Sequence, residues 1–231
     1  MYRNFFKRVI DIICALLAVI VFCWLYVLVA ILVKIKLGSP VLFKQVRPGK
    51  KDKNGNEKLF TLYKFRTMTD QKDENGNLLP DSVRLTKFGA WLRNTSLDEL
   101  PEAFNILKGD MSVIGPRPQL VRDIVFMTDE QRHRHDVRPG LSGLAQISGR
   151  NAIAWEDKLA TDLKYIQKIT FLGDAKIVLK TVGKFLKQED ITEEGEATAT
   201  DLGDYLLHKG EITKEEYDKK QEQAKGLLKN A

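Results

Sequence analysis

"VIDIICALLAVIVFCWLYVLVAILV", Val9 to Val33, is an apolar run with one charge, Asp11. About 20 such residues suffice to cross the hydrocarbon of a bilayer, so the stretch predicts a membrane-embedded helix. A cleavable signal is excluded, because no small-residue cleavage site follows and Lys34 and Lys36 come directly after the run. Arg3, Lys7 and Arg8 precede it; Lys34, Lys36, Lys44 and Arg47 follow. Positive charge on both flanks orients a simple span poorly and suits a helix whose two ends face the same compartment. Asp11 reads either as the partner of Lys7 or Arg8 one turn away or as a solvated interfacial charge. Cys14 and Cys23 stand nine residues apart, about 13–14 Å along a helix, too far for a disulfide. They are expected as buried thiols in a reducing compartment.

Outward from that run, the 231 residues leave room for one globular domain and something smaller. The net charge of +6 is unevenly spread. Residues 192–231 hold ten acids against six lysines, a balance of −4, and taking that from +6 leaves +10 on the remainder. A basic body of this kind meets phosphates, acidic lipid or nucleic acid.

"VLFKQVRPG" and "EKLFTLYKFRTM" read as two strands joined by a turn at Asn54-Gly55. "LTKFGAWLRNTS" and "ELPEAFNILKG" read as short helices, the second stopped by Gly109. "TDEQRHRHDV" reads as helical, whereas "GDMSVIGPRPQL" and "RPGLSGLAQISGRN" are too rich in Gly and Pro for regular structure. Two later helices read as interfacial. One carries Trp155, Leu159, Leu163 and Ile166 in a single stripe. The other sets a row of Lys176, Lys180, Lys184 and Lys187 against Ile177, Val178, Val182, Phe185 and Leu186. That second pattern fits equally an anionic membrane surface and a core helix with a solvated lysine face. In the tail, helix, turn at Lys209-Gly210 and helix follow in order, with Thr213 and Glu216 as a capping box.

The chemistry concentrates in "LDELPEAFNILKGDMSVIGPRP", Leu97 to Pro118. Pro101 lacks an N–H and belongs in the first turn of a helix. Asp98 as N-cap, or Ser96 with Glu99 as a capping box, are the two ways to open that helix. Either one places both carboxylates at a helix N-terminus, where the dipole and free N–H groups favour negative charge and can receive phosphate. On this stretch alone plain capping is the better explanation of Asp98, and the downstream loop shifts the balance. There Gly109, Gly115, Pro116 and Pro118 hold a turn around Arg117, and guanidinium grips phosphate with two hydrogen bonds. A carboxylate nucleophile beside such an arginine, with a metal neutralising a diphosphate, suits phosphoryl transfer.

These motifs in order ("YKFRTM", "SLDELPEAFNILKGDMSVIGPRP", "RHDVRPGLSGLAQISGRN" and the basic-then-apolar N-terminus) resemble the small monotopic phosphoglycosyl transferases of the bacterial sugar transferase family, over residues 1–196. The resemblance implies transfer of a sugar phosphate from a UDP-sugar to polyprenyl phosphate, with release of UMP, at the start of glycoconjugate assembly. It implies that Asp98 is the nucleophile and that Glu99 is associated with Mg2+ and with the acceptor. It places Arg117 at the nucleotide diphosphate, and Arg93, Lys64 and Asp174 near the substrate. Lys7 and Arg8 match the basic pair that starts a re-entrant helix anchored in membrane phospholipid. His133 and His135 match a structural motif. The family's usual Ser-Pro break is replaced here by Cys23-Trp24, with no proline before Pro40. The tail resembles the short C-terminal helical-hairpin module called SHOCT, through Gly210, Ile212, Thr213, Glu215, Glu216 and Tyr217. That likeness implies assembly or partner contacts, including self-association, and no chemistry.

The expected fold class is α+β, mainly α: a re-entrant membrane helix (1–38), then a catalytic domain (39–196) with a short β-hairpin and amphipathic interfacial helices around its core, then a helical hairpin (197–231). The expected location is the bacterial inner membrane, with the catalytic domain facing the cytoplasm and no nucleic-acid partner. The alternative is a membrane-anchored, non-enzymatic module that binds anionic lipid or nucleic acid through the +10 body. Such a module has no need of Asp98 and Glu99 at a phosphate-binding terminus.

Overall fold

The apolar run folds as two helices: α1 (Lys7–Val21) and α2 (Cys23–Leu37) meet at Phe22, whose φ of −100° and ψ of 14° leave the helical region. In the computed structural model, which describes residues 1–149, 154–187 and 200–229, the two arms bend by 65°. Among the described residues no single helix is long and apolar enough to cross a membrane, although the bent pair together meets that test. The bend needs no proline, because packing holds it. Ala15 of α1 lies in a core with Phe60, Leu62, Ala103, Ile106 and Met111. Val29 and Val33 of α2 pack with Phe65 and Leu92. Tyr26 donates a hydrogen bond to the Leu100 carbonyl at 2.7 Å. The outer faces stay uncovered: Ile20, Trp24 and Val27 are each about 60% exposed. An apolar surface of that size marks a membrane or partner contact.

Asp11 corrects both sequence readings. It is buried within α1 and accepts hydrogen bonds from Ser112 Oγ at 2.8 and 3.0 Å and from the Val113 N–H at 2.9 Å. Lys7 pairs instead with Asp174, and Arg8 donates to the carbonyls of Ile106 and Leu107. The two cysteines are also corrected. Both thiols are free and exposed, because the inward positions are taken by Asp11 and Ala15 in α1 and by Val29 and Val33 in α2.

β1 (Leu42–Lys51) and β2 (Glu57–Phe65) form the expected antiparallel hairpin, with Leu42 opposite Phe65 and Arg47 opposite Phe60. Its turn uses Gly55 at φ +84°, in the left-handed region that glycine adopts without steric cost. α3 (Asp81–Arg84) and α4 (Lys87–Asn94) follow; Thr86 Oγ1 caps α4 by accepting from the Gly89 N–H. After α5 (Glu102–Lys108) come α6 (Val121–Ile124) and α7 (Asp129–Arg132).

The two segments expected to be irregular instead carry β3 (Ser112–Ile114), β4 (Gly140–Ser142) and α8 (Leu144–Ser148). β3 and β4 pair in parallel, Ser112 opposite Gly140 and Ile114 opposite Ser142. Glycine is what permits the approach, since a β-carbon at Gly140 would fall 2.0 Å from the Gly115 nitrogen.

α9 (Trp155–Gln167) is not interfacial: its Trp155, Leu159 and Ile166 are buried against the body. α10 (Phe171–Lys187) buries Ile177 and leaves Leu172 and Leu179 more than 70% exposed. α11 (Leu202–His208) and α12 (Lys214–Lys229) make the C-terminal hairpin, and the Thr213–Glu216 capping box is formed at 3.0 and 3.2 Å. The expected boundary at 196/197, the side chains of Phe185, Leu186 and Lys187, and the Arg150-Asn151 end of the second loop lie outside the described residues. The described part is mainly helical with small sheets, an α+β arrangement.

Candidate active site

Leu97–Glu99 forms a 3-10 turn, and Pro101 rather than Asp98 stands at the N-cap of α5. Neither Asp98 nor the Ser96–Glu99 box caps the helix, and the Ser96 side chain makes no capping bond. Ser96 instead takes a left-handed φ of +49°, uncommon away from glycine, and so turns the chain into the 3-10 segment. Leu97 and Leu100 point into the α2 cluster with Val29 and Val33. The carboxylates between them face the other way, toward β2.

Lys64, on β2, is the hub. Its Nζ lies 2.7 Å from Glu99, 3.2 Å from Glu102 and 3.9 Å from Asp98. Arg117 reaches Glu99 at 3.2 Å and keeps about half its side chain exposed. Arg93, in the last turn of α4, donates to Thr67 Oγ1 at 3.1 Å, and its charge is felt at Asp98. The structure therefore brings together Asp98, Glu99, Lys64, Arg93 and Arg117.

Glu102 is the member that sequence reasoning missed. It is almost fully buried beside Lys64. Its signal was available: a third carboxylate, three and four residues beyond Glu99 and Asp98, falls on the same helical face. Asp174 belongs to a second cluster, where it accepts from Lys7 at 2.6 Å, Tyr2 at 2.7 Å and Tyr165 at 2.9 Å. With Arg8 on the α5 carbonyls, that cluster fastens the N-terminus to the body.

The environment separates the carboxylates. Burial pushes Asp98 up to about 6, against the pull of Lys64, and pushes Glu102 up to about 7. Burial acts on Glu99 as well, but Lys64 and Arg117 outweigh it and hold that group down at about 2. At neutral pH Glu99 is a fixed anion, while Asp98 sits near its own titration point.

Two arginines, Arg134 buried and Arg47 half-buried, hold the Arg117 loop from behind. Arg134 donates to the Arg117 carbonyl at 2.7 Å while paired with Asp162 at 2.6 Å. Arg47 donates to the Pro118 carbonyl at 3.2 Å. His135 is buried beside Glu57, and His133 bonds Asp136 at 2.8 Å. Among the described residues no cluster of three or more metal-ligating side chains is preassembled. The donors at the dyad are all hard carboxylate oxygens, the set that suits Mg2+, which takes one or two carboxylates and completes its shell with water and substrate phosphate.

The model of the family described as bacterial sugar transferase matches residues 2–188. The chain is 48% identical over 193 residues to "Uncharacterized sugar transferase EpsL" of Bacillus subtilis, covering 84% of this chain and 93% of that one. It is 38% identical over 191 residues to the UDP-N-acetylgalactosamine-undecaprenyl-phosphate N-acetylgalactosaminephosphotransferase of Aeromonas hydrophila, covering 79% of this chain and 44% of that one. It is also 38% identical over 189 residues to the UDP-glucose:undecaprenyl-phosphate glucose-1-phosphate transferase of Klebsiella pneumoniae, covering 78% and 40%. The chain thus spans less than half the length of these two named transferases.

Proposed function

The chain belongs to the bacterial sugar transferase family, and from that premise we propose that it transfers a sugar 1-phosphate from a UDP-sugar to polyprenyl phosphate through a covalent intermediate on Asp98. The observation that carries this reading is the position of the dyad. Asp98 and Glu99 lie on a turn whose flanking leucines pack on the apolar helix α2, with Lys64 and Arg117 beside them. A water-soluble nucleotide and a lipid-borne phosphate can meet there.

In the first step an oxygen of ionised Asp98 attacks the phosphorus that bears the sugar. The bond from that phosphorus to UMP breaks, and UMP leaves with the electron pair. In the second step an oxygen of polyprenyl phosphate attacks the same phosphorus, the bond to Asp98 breaks, and the carboxylate is restored. An acyl phosphate is reactive enough to pass the group on. Arg117 grips the diphosphate, and Lys64 and Arg93 offset the charge that gathers at the site. Glu99, fixed as an anion, is the residue that would hold Mg2+, which when bound neutralises diphosphate charge.

The exposed apolar faces of α1, α2 and α10 fit a membrane, and the proposed setting is the bacterial inner membrane with the body on the cytoplasmic side. The test is UMP release from a panel of UDP-sugars with polyprenyl phosphate and Mg2+, together with intact mass. Without acceptor, the expected result is one equivalent of UMP and a phosphosugar adduct, both absent in Asp98→Asn. UMP release that survives in Asp98→Asn would sink the covalent route, and no release from any UDP-sugar would sink the reading as a whole.

A further inference from the structure

The C-terminal hairpin holds no residue of the site, yet it is fastened to the segment that follows Arg117. The link is Asp123 of α6, only 1% exposed. One of its carboxylate oxygens accepts from the Leu120 N–H at 2.9 Å, three residues after Arg117. The other accepts from the Leu202 N–H at 3.1 Å, at the start of α11. Next to it, Arg122 pairs with Asp201. Leu202 is buried with Phe126, Met127, Trp155 and Leu159. Glu156 of α9 accepts from Tyr205 at 2.8 Å and from Lys209 at 2.6 Å. The Tyr217 ring of α12 lies 5.8 Å from that of Phe126.

The loop is therefore gripped from both directions. Arg134 and Arg47 hold the carbonyls of Arg117 and Pro118, and the hairpin closes over the stretch just downstream through Asp123. A buried carboxylate that satisfies two backbone N–H groups from distant segments is costly to disturb, since each would be stranded. We infer that the C-terminal hairpin is a docked brace that positions the Arg117 loop, so that its seating sets affinity for the nucleotide diphosphate. This rests on the placement of Arg117 at the diphosphate. The hairpin's interior face is then spent on its own chain, and a variant that unseats it weakens UDP-sugar binding at a distance from every site residue.

The test uses full-length protein in detergent. Gly203→Val is the first variant, because a β-carbon there would fall 2.6 Å from a Phe126 ring carbon. Leu202→Asp is the second, and Arg117→Lys runs in parallel. Trypsin sensitivity of the hairpin reports seating; KM and kcat for the UDP-sugar and Kd for UDP report the site. Both hairpin variants are expected to be cleaved faster, with KM and Kd raised roughly 3- to 10-fold and kcat unchanged. Faster cleavage with unchanged KM and Kd, while Arg117→Lys raises them, would overturn the brace alone. Unchanged cleavage in both variants would overturn it too, since the hairpin would not be seated by these contacts. Arg117→Lys without effect on KM or Kd would remove the diphosphate role of Arg117, and the brace with it.

Discussion

Asp98 and Glu99 are neighbours with opposite acid strengths, and the cause is which cations each one touches. Glu99 contacts Lys64 and Arg117 directly and stays ionised; Asp98 is buried with Lys64 only at 3.9 Å and holds its proton up to about 6. A nucleophile must be ionised, so the rate should fall as pH drops through about 6. The acid limb will appear in the single-turnover rate constant for acceptor-free UMP release, as a value shared with Glu102. A profile flat through that pH would take the nucleophile role from Asp98. The same shift sets the sign for stability. A folded-state pKa above the unfolded value of about 3.9 means that the contribution of Asp98 is present below that value and lost as pH rises through about 6. Asp98→Asn should therefore keep its Tm at neutral pH. For Arg117→Lys, the loss of the two-pronged grip should lower kcat/KM about tenfold or more, ~1.4 kcal/mol or above. An unchanged value would place the diphosphate elsewhere.

At the scale of elements, Asp11 ties α1 to β3, beside the contacts that Lys7, Arg8 and Ala15 make with the body. Asp11 satisfies the Val113 N–H and Ser112 Oγ of β3. Asp11→Ala would leave both without that partner, costing about 1–3 kcal/mol, while Asp11→Asn keeps an acceptor and should cost less. Thermal unfolding in detergent reads the difference, at roughly 2–4 °C per kcal/mol for a chain of this size. A neutral Asp11→Ala would return Asp11 to a solvated role. α4, α5 and the β1–β2 hairpin were legible because each carries its own punctuation: Thr86, Gly109 and Asn54-Gly55. β3 and β4 were not, because three-residue strands have no periodicity and the pairing joins segments remote in sequence.

For the whole molecule, the decisive fact is that both arms of the bent apolar run touch one body, α1 through Ala15 and α2 through Val29 and Val33. A straight span would part them. Re-entry predicts that Asn4 and Asp52 face the same compartment. Asn4→Cys and Asp52→Cys, each made with Cys14→Ser and Cys23→Ser, would be treated in intact cells with an impermeant thiol reagent. Protection at both positions is the expected outcome; labelling at position 4 alone would establish a span with the body inside.

The sequence by itself determined the apolar run, the β1–β2 hairpin and the short helices, because these follow from composition, turn chemistry and local spacing, whereas the roles proposed for Asp98, Glu99 and Arg117 came from the resemblance of their motifs. Only the tertiary structure decided the bend at Phe22, the burial of Asp11, the entry of Glu102 into the site and the seating of the C-terminal hairpin beside Arg117. Each of these depends on groups far apart in the chain competing for one buried position. Local pattern states which partners a residue could take nearby, but not which distant N–H, cation or apolar face will claim it.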